Sequence, residues 1–172
     1  MRAIFTAIFA LFFAIPAITQ APVKWYTIEE AFELNKKAPR KIMIDVYTDW
    51  CTWCKVMDDK TFSNNVIADY INAKFYAVKF NAEQKTDVVL RGKSYKFIAS
   101  GRRGYNELAA ELLNGQLGYP SVVFLDENTN IIQPVQGYIE AKPFDQIIKF
   151  IGGNAYKSTK WEDFQASYVS PL

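Results

Sequence analysis

The stretch Asp45-Val46-Tyr47-Thr48-Asp49-Trp50-Cys51-Thr52-Trp53-Cys54-Lys55 constrains this chain more than any other. An apolar run ends, a sharp break follows, and two cysteines three positions apart open a helical pattern. Two thiols at that spacing can close a disulfide with little backbone motion. The spacing puts Cys51 at the helix end, where it is expected to be exposed and where free N–H groups and the positive dipole end favour its thiolate. Cys54 lies one turn inside. That arrangement is the minimum for thiol–disulfide exchange, in which one thiolate attacks a partner's disulfide and its neighbour resolves the mixed species.

These are the only two cysteines in 172 residues, and there is no histidine. A zinc site needs about four ligands and an iron–sulfur cluster needs more thiolates, so no metal cofactor is expected. A Cys–His nucleophile is excluded by the missing histidine. A purely structural disulfide would close too small a loop to stabilise much. Net charge is +2, so nothing global points to nucleic acid. Half the residues are hydrophobic, enough for one domain with a core of its own.

Residues 1–20 are set apart from that domain, which is taken as 21–172. Arg2, an apolar run from Ala3 to Ile15 and then Pro16 read as a secretory signal peptide, too short to span a bilayer. The expected location is a bacterial periplasm, where disulfide chemistry is at home.

Val23-Lys24-Trp25-Tyr26 reads as a short edge strand, and Thr27-Ile28-Glu29-Glu30 as a capping box opening a helix. Lys41 to Tyr47 is short and apolar enough for a strand buried on both faces. The helix after Cys51 is expected to run to about Ile71, with a kink or restart at Ser63-Asn64-Asn65. Lys74 to Phe80 is the next strand, and strand–helix–strand implies a parallel pair with a right-handed crossover. Asp87 to Ile98 reads as a hairpin turning at Arg91-Gly92-Lys93, Ser100 to Gly104 as a loop, and Asn106 to Leu113 as a helix. Ser121 to Leu125 and Ile131 to Val135 form an antiparallel pair whose second strand, carrying Pro134, lies at an edge. A helix starting at Pro143 and a short docked helix near Trp161 complete the chain.

This order of elements, with the Trp50-Cys51-x-x-Cys54-Lys55 motif, resembles the thioredoxin fold. More narrowly, Asp49-Trp50-Cys51-x-Trp53-Cys54-Lys55-x-Met57 resembles exported bacterial thioredoxin-like proteins, among them the C-terminal thioredoxin domain of DsbD. The resemblance implies an α/β fold with a central mixed β-sheet flanked by helices, here with an insertion at about 83–118 before the cis-Pro strand. It implies a protein disulfide oxidoreductase whose catalytic residues are Cys51, Cys54 and Asp45. Asp45 stands where the family carries a buried acid and suits a proton acceptor for Cys54. Lys79 stands where a strand lysine neighbours that acid, though it equally reads as a strand residue facing solvent. Tyr119-Pro120 falls at the family's cis-proline, and Trp50, Trp53, Tyr119 and Pro120 are the expected substrate-binding residues. The partners implied are protein thiols and disulfides, with a membrane-bound thiol donor of electrons as a candidate. Thr52-Trp53 stands in place of the usual Gly-Pro, and with no histidine between the cysteines the expected direction is reduction of protein disulfides. The competing reading is a non-catalytic peptide-binding module of the same fold, or a disulfide oxidase or isomerase.

Overall fold

The structure is a computed structural model and describes residues 21–172; the signal-peptide expectation falls on residues 1–20, outside those described. Chain order runs β1 (Trp25–Tyr26), α1 (Ile28–Lys37), β2 (Lys41–Tyr47), α2 (Thr52–Met57), a π-helical turn (Asp58–Phe62), α3 (Asn65–Lys74) and β3 (Phe75–Asn81). It continues with β4 (Val88–Leu90), β5 (Lys93–Tyr95), β6 (Phe97–Ser100), β7 (Arg103–Asn106) and α4 (Glu107–Leu112). β8 (Ser121–Leu125), β9 (Ile131–Gln136), α5 (Ala141–Gly152) and α6 (Trp161–Ser167) follow.

The central sheet has the order β1-β3-β2-β8-β9. β2 runs parallel to β3, β3 parallel to β1, and β8 antiparallel to both β2 and β9. A strand exposes alternate side chains to opposite faces, and both faces are covered here. Ile42, Ile44, Val46, Tyr76, Val78 and Phe80 pack with α1, the β4–β5 hairpin and α4. Met43, Phe75, Ala77, Val122 and Phe124 pack with Met57, Phe62, α3 and α5. Two-sided burial is the reason β2 reads as one continuous apolar run.

Local chemistry sets the element ends. Thr27 and Glu30 exchange side-chain-to-backbone hydrogen bonds of 3.2 and 2.8 Å in the expected capping box. The restart expected near Ser63 is present: the π-helical turn ends there, and Asn64 caps α3 by accepting from the Val66 and Ile67 N–H groups. Thr61 in that turn is fully buried and donates its hydroxyl to the Ile139 carbonyl at 2.6 Å, fastening the turn to the loop after β9.

Two local expectations need correction. α5 begins at Ala141, two residues before Pro143. A proline inside the first turn is tolerated because N–H groups there have no partner within the helix. Ser100 to Gly104 is the tip of a second hairpin, β6–β7, with Ser100 opposite Arg103 and Ile98 opposite Tyr105. Strands of four residues that include Gly104 carry too short an alternation to announce themselves.

The stretch from 83 to 118 therefore holds two hairpins and α4. Buried Asn106 anchors it: its N–H donates to the Ala82 carbonyl at 2.7 Å, its side-chain amide to the Tyr95 carbonyl at 3.3 Å, and its Oδ1 accepts from Leu108 N–H at 3.0 Å. Asn106→Ala should destabilise the protein by about 1–3 kcal/mol, the cost of a lost cap and an orphaned buried carbonyl. Hydrogen exchange should localise the loosening to residues 88–113. Uniform loss of protection across the central sheet would contradict this role.

Candidate functional site

Cys51 is the N-cap of α2, and its Sγ accepts the Cys54 N–H at 3.1 Å. The two cysteines are joined in a disulfide, with Cα atoms 5.3 Å apart. The expected exposure of Cys51 is corrected: it is 4% exposed and Cys54 3%. The disulfide turns each sulfur against the other and removes surface from both. Exposure sits instead on the neighbouring indoles, with Trp50 at 48% and Trp53 at 57%.

Asp45 lies in β2 on the face that carries Met43, the face covered by Met57 of α2 and Phe62 of the π-helical turn. The β2–β3 register places it opposite Lys79, on the same face. The Lys79 amine lies 2.5 Å from Asp45 Oδ2 and also contacts Asp58 Oδ1. Lys79 is thus an inward-facing ion-pair residue rather than a solvated one. Rings of Trp25, Tyr47 and Phe62 stand 4.9 to 5.4 Å from its amine, so aromatic faces complete a cation site.

Burial pushes the Asp45 carboxyl up to about 6, even though Lys79 opposes the shift. Its Oδ1 is buried without a hydrogen-bond partner. Burial pulls the Lys79 amine down, but its two carboxylates outweigh that and hold it above the ordinary lysine value. Asp58 had no sequence signal as a site residue beyond its charge. Its side chain leaves from the junction of α2 and the π-helical turn, where its N–H still donates to the Cys54 carbonyl as in a regular helix.

The Tyr119-Pro120 bond is cis, as expected from the sequence. Trp53, Tyr119, Pro120, Gly137 and Tyr138 line a cleft of about 250 Å³ at the mouth of β8. Trp53 packs on Tyr138 with ring centroids 5.2 Å apart, and Trp50 meets Tyr119 edge-on at 6.1 Å. Burial raises the Tyr119 phenol to about 12, with Glu83 adding to it, so it stays protonated at neutral pH. Trp50 also donates its Nε1 to Glu83 at 3.0 Å, and the Arg103 guanidinium sits 3.8 Å over its ring. The structure joins Cys51 to Cys54, sets Trp53, Tyr119 and Pro120 around one cleft and Trp50 against Tyr119, and places Asp45 in β2 against Lys79. It turns Lys79 to Asp45 and adds Asp58, Glu83, Arg103 and Tyr138, whose contacts depend on long-range packing.

Residues 15–165 match the family model Thioredox_DsbH, described as a protein of unknown function, DUF255. An uncharacterized protein of Caenorhabditis elegans is 32% identical over 85 residues, which is 49% of this chain and 12% of that protein. The thiol:disulfide interchange protein DsbD of Vibrio vulnificus is 27% identical over 128 residues, 72% of this chain and 18% of that protein. The chain thus spans under a fifth of the length of these curated relatives. The solved structure of a DsbH oxidoreductase superposes with a TM-score of 0.56 at 19% identity, covering 83% of this chain and 92% of that one. A thioredoxin from Thermus thermophilus superposes at 0.58, with 17% identity over 79% of this chain and 94% of its own. Both likenesses are of the thioredoxin fold.

The Asp45 value carries a sign that stability measurements can read. A carboxyl whose folded value lies above its ordinary 3.8 binds its proton more tightly when folded. Its stabilising contribution is full below about pH 4 and is lost as pH rises through about 6. Asp45→Asn keeps the shape without the ionisation and leaves Lys79 its bond to Asp58. The variant should therefore gain on the native protein by an amount of order 3 kcal/mol between acid and neutral pH, read by urea unfolding. A stability difference flat in pH would contradict the buried-acid assignment.

Proposed function

The chain belongs to the Thioredox_DsbH family, and from that premise we propose that it is an exported thiol–disulfide oxidoreductase that reduces protein disulfides in a periplasm. The signal peptide would be residues 1–20, and the working domain 21–172 with its insertion at about 83–118. The observation that carries this reading is the Cys51–Cys54 disulfide at the start of α2, in a chain whose β2 holds a buried acid, Asp45, ion-paired with Lys79. The 27% identity to proteins named for thiol:disulfide interchange supports the same chemistry.

The reaction starts from the reduced dithiol. The Cys51 thiolate, favoured by the Cys54 N–H that already points at its sulfur, attacks one sulfur of a partner disulfide. That S–S bond breaks, and the partner's other sulfur leaves as a thiolate that takes up a proton. Cys54 then gives its proton to the Asp45 carboxylate and attacks Cys51 Sγ. The mixed disulfide breaks, the partner departs as a dithiol, and the protein is left with its own disulfide. An external dithiol must return the two electrons, and a membrane-bound thiol donor is the proposed source. Asp45, with a value of about 6, is ionised and available at neutral pH, which suits a proton acceptor. Tyr119-Pro120, with Trp50 and Trp53, flanks the cleft that takes the partner's extended backbone.

Reduction is the proposed direction because the site lacks what a strong oxidant needs. Such an oxidant requires an unusually stable reduced form. No histidine stands between the cysteines, and Asp49, Asp58 and Asp59 offset Lys55.

Insulin reduction by the purified dithiol tests the activity, and inactivity there would favour the non-catalytic peptide-binding module. After reduction, Cys51 should alkylate before Cys54 at neutral pH, and Cys54→Ser should accumulate mixed disulfides with partners. Asp45→Asn should slow resolution more than the first attack, with the native resolving step falling off below about pH 6. Equal alkylation rates would defeat the roles given to the two thiols. Equilibration against glutathione should place the potential nearer about −270 mV than about −120 mV. A value above about −180 mV would instead make the protein an oxidase or isomerase.

A further inference from the structure

Between Glu83 and Asn106 the chain carries six Lys or Arg residues against two acids, more positive charge than the whole protein. Some of these cations serve the fold. Lys93 pairs with Glu111 at 2.5 Å, and Arg91 donates to the backbone carbonyls of Asn128 and Thr129 at 3.0 Å. Lys85, Lys96, Arg102 and Arg103 are exposed, and none of them forms an ion pair among the described residues.

Arg103 differs from the other three in being held against the redox motif. Its guanidinium lies 3.8 Å over Trp50, the residue before Cys51. That indole is itself fixed by Glu83 at its Nε1 and by the Tyr119 ring. The hairpin is fixed at its base by Asn106, whose N–H reaches the Ala82 carbonyl at the end of β3. It is close-packed beside Arg103 as well: a Cβ on Gly104 would stand 2.2 Å from the Phe97 ring. A guanidinium lying over an indole leaves its N–H donors free in its own plane, in the fork that matches a carboxylate. No acceptor in the described structure takes those donors. Glu83, the nearby carboxylate, is engaged by the indole, and Asp49 by Asn81 at 3.1 Å.

We propose that the β6–β7 hairpin is a docking surface for an acidic segment of the redox partner, with Arg103 receiving a carboxylate within a few residues of the partner's reactive cysteine. The proposal rests on the exchange chemistry given above and names the class of protein disulfide it acts on. Arg102, Lys96 and Lys85 extend the same charge along the hairpin and the loop before it. They draw acidic chains to the cleft before Trp50 and Tyr119 align the backbone. Attraction of this kind acts mainly on the encounter rate and is screened by salt.

The test uses the reduced native protein, two synthetic disulfide peptides identical except for Glu or Lys beside the cysteine, and uncharged hydroxyethyl disulfide. The Glu peptide should be reduced about tenfold faster than the Lys peptide at low salt, within the range electrostatic steering supplies. The gap should close at about 0.5 M salt, where the Debye length falls to a few ångströms. The double substitution Arg102→Glu with Arg103→Glu should reverse the preference. Equal peptide rates alongside reduction of hydroxyethyl disulfide would overturn the docking surface and leave the exchange chemistry standing. No reduction of any of the three would overturn both. A Glu preference that survives the double substitution would overturn the assignment to this hairpin. The native comparison decides by itself if the doubly substituted chain fails to fold.

Discussion

Burying a carboxylate costs free energy unless a cation answers it, and in this protein Lys79 answers Asp45 across the parallel β2–β3 register. Much of the site depends on that pair. It keeps an acid in the middle of the sheet without forcing it fully neutral. Because Lys79 also reaches Asp58, the pair ties the sheet to the π-helical turn that continues the helix bearing the cysteines. The single cation does not compensate Asp45 completely: one oxygen stays unpartnered, and the carboxyl is left titrating near pH 6. Imperfect compensation is what gives a buried acid a working range close to neutrality.

The aromatic residues around the disulfide divide the labour differently. Trp25, Tyr47 and Phe62 turn their faces to the Lys79 amine. Trp50 and Trp53 stay half in solvent, each packed on a tyrosine from another part of the chain. These contacts hold large apolar rings beside a cleft without burying them, an arrangement suited to an extended partner chain. The cysteines themselves are shielded in the disulfide.

The stretch from 83 to 118 joins this site from beyond the end of β3. Its first hairpin supplies Val88, Leu90 and Tyr95 to the core, so it is part of the folded body. Its second hairpin buries little and presents cations. A hairpin fixed at its base by Asn106 and at its tip against Trp50 keeps those cations in place beside the redox motif.

The cysteine pair, the capping box, the buried strand and the edge proline were legible in the sequence because each depends on neighbours in the chain. So was Asp45: one acid in an apolar run must answer to something. The second hairpin was hidden, since four-residue strands carry too little periodicity. The tertiary structure alone decided how Lys79 points, because a strand lysine faces core or solvent according to register and to what covers the sheet. It alone brought Asp58 to Lys79, Glu83 and Arg103 to Trp50, and Tyr138 to Trp53. Those contacts join residues that are distant in sequence, and the sequence between them holds no trace of the distances that packing closes.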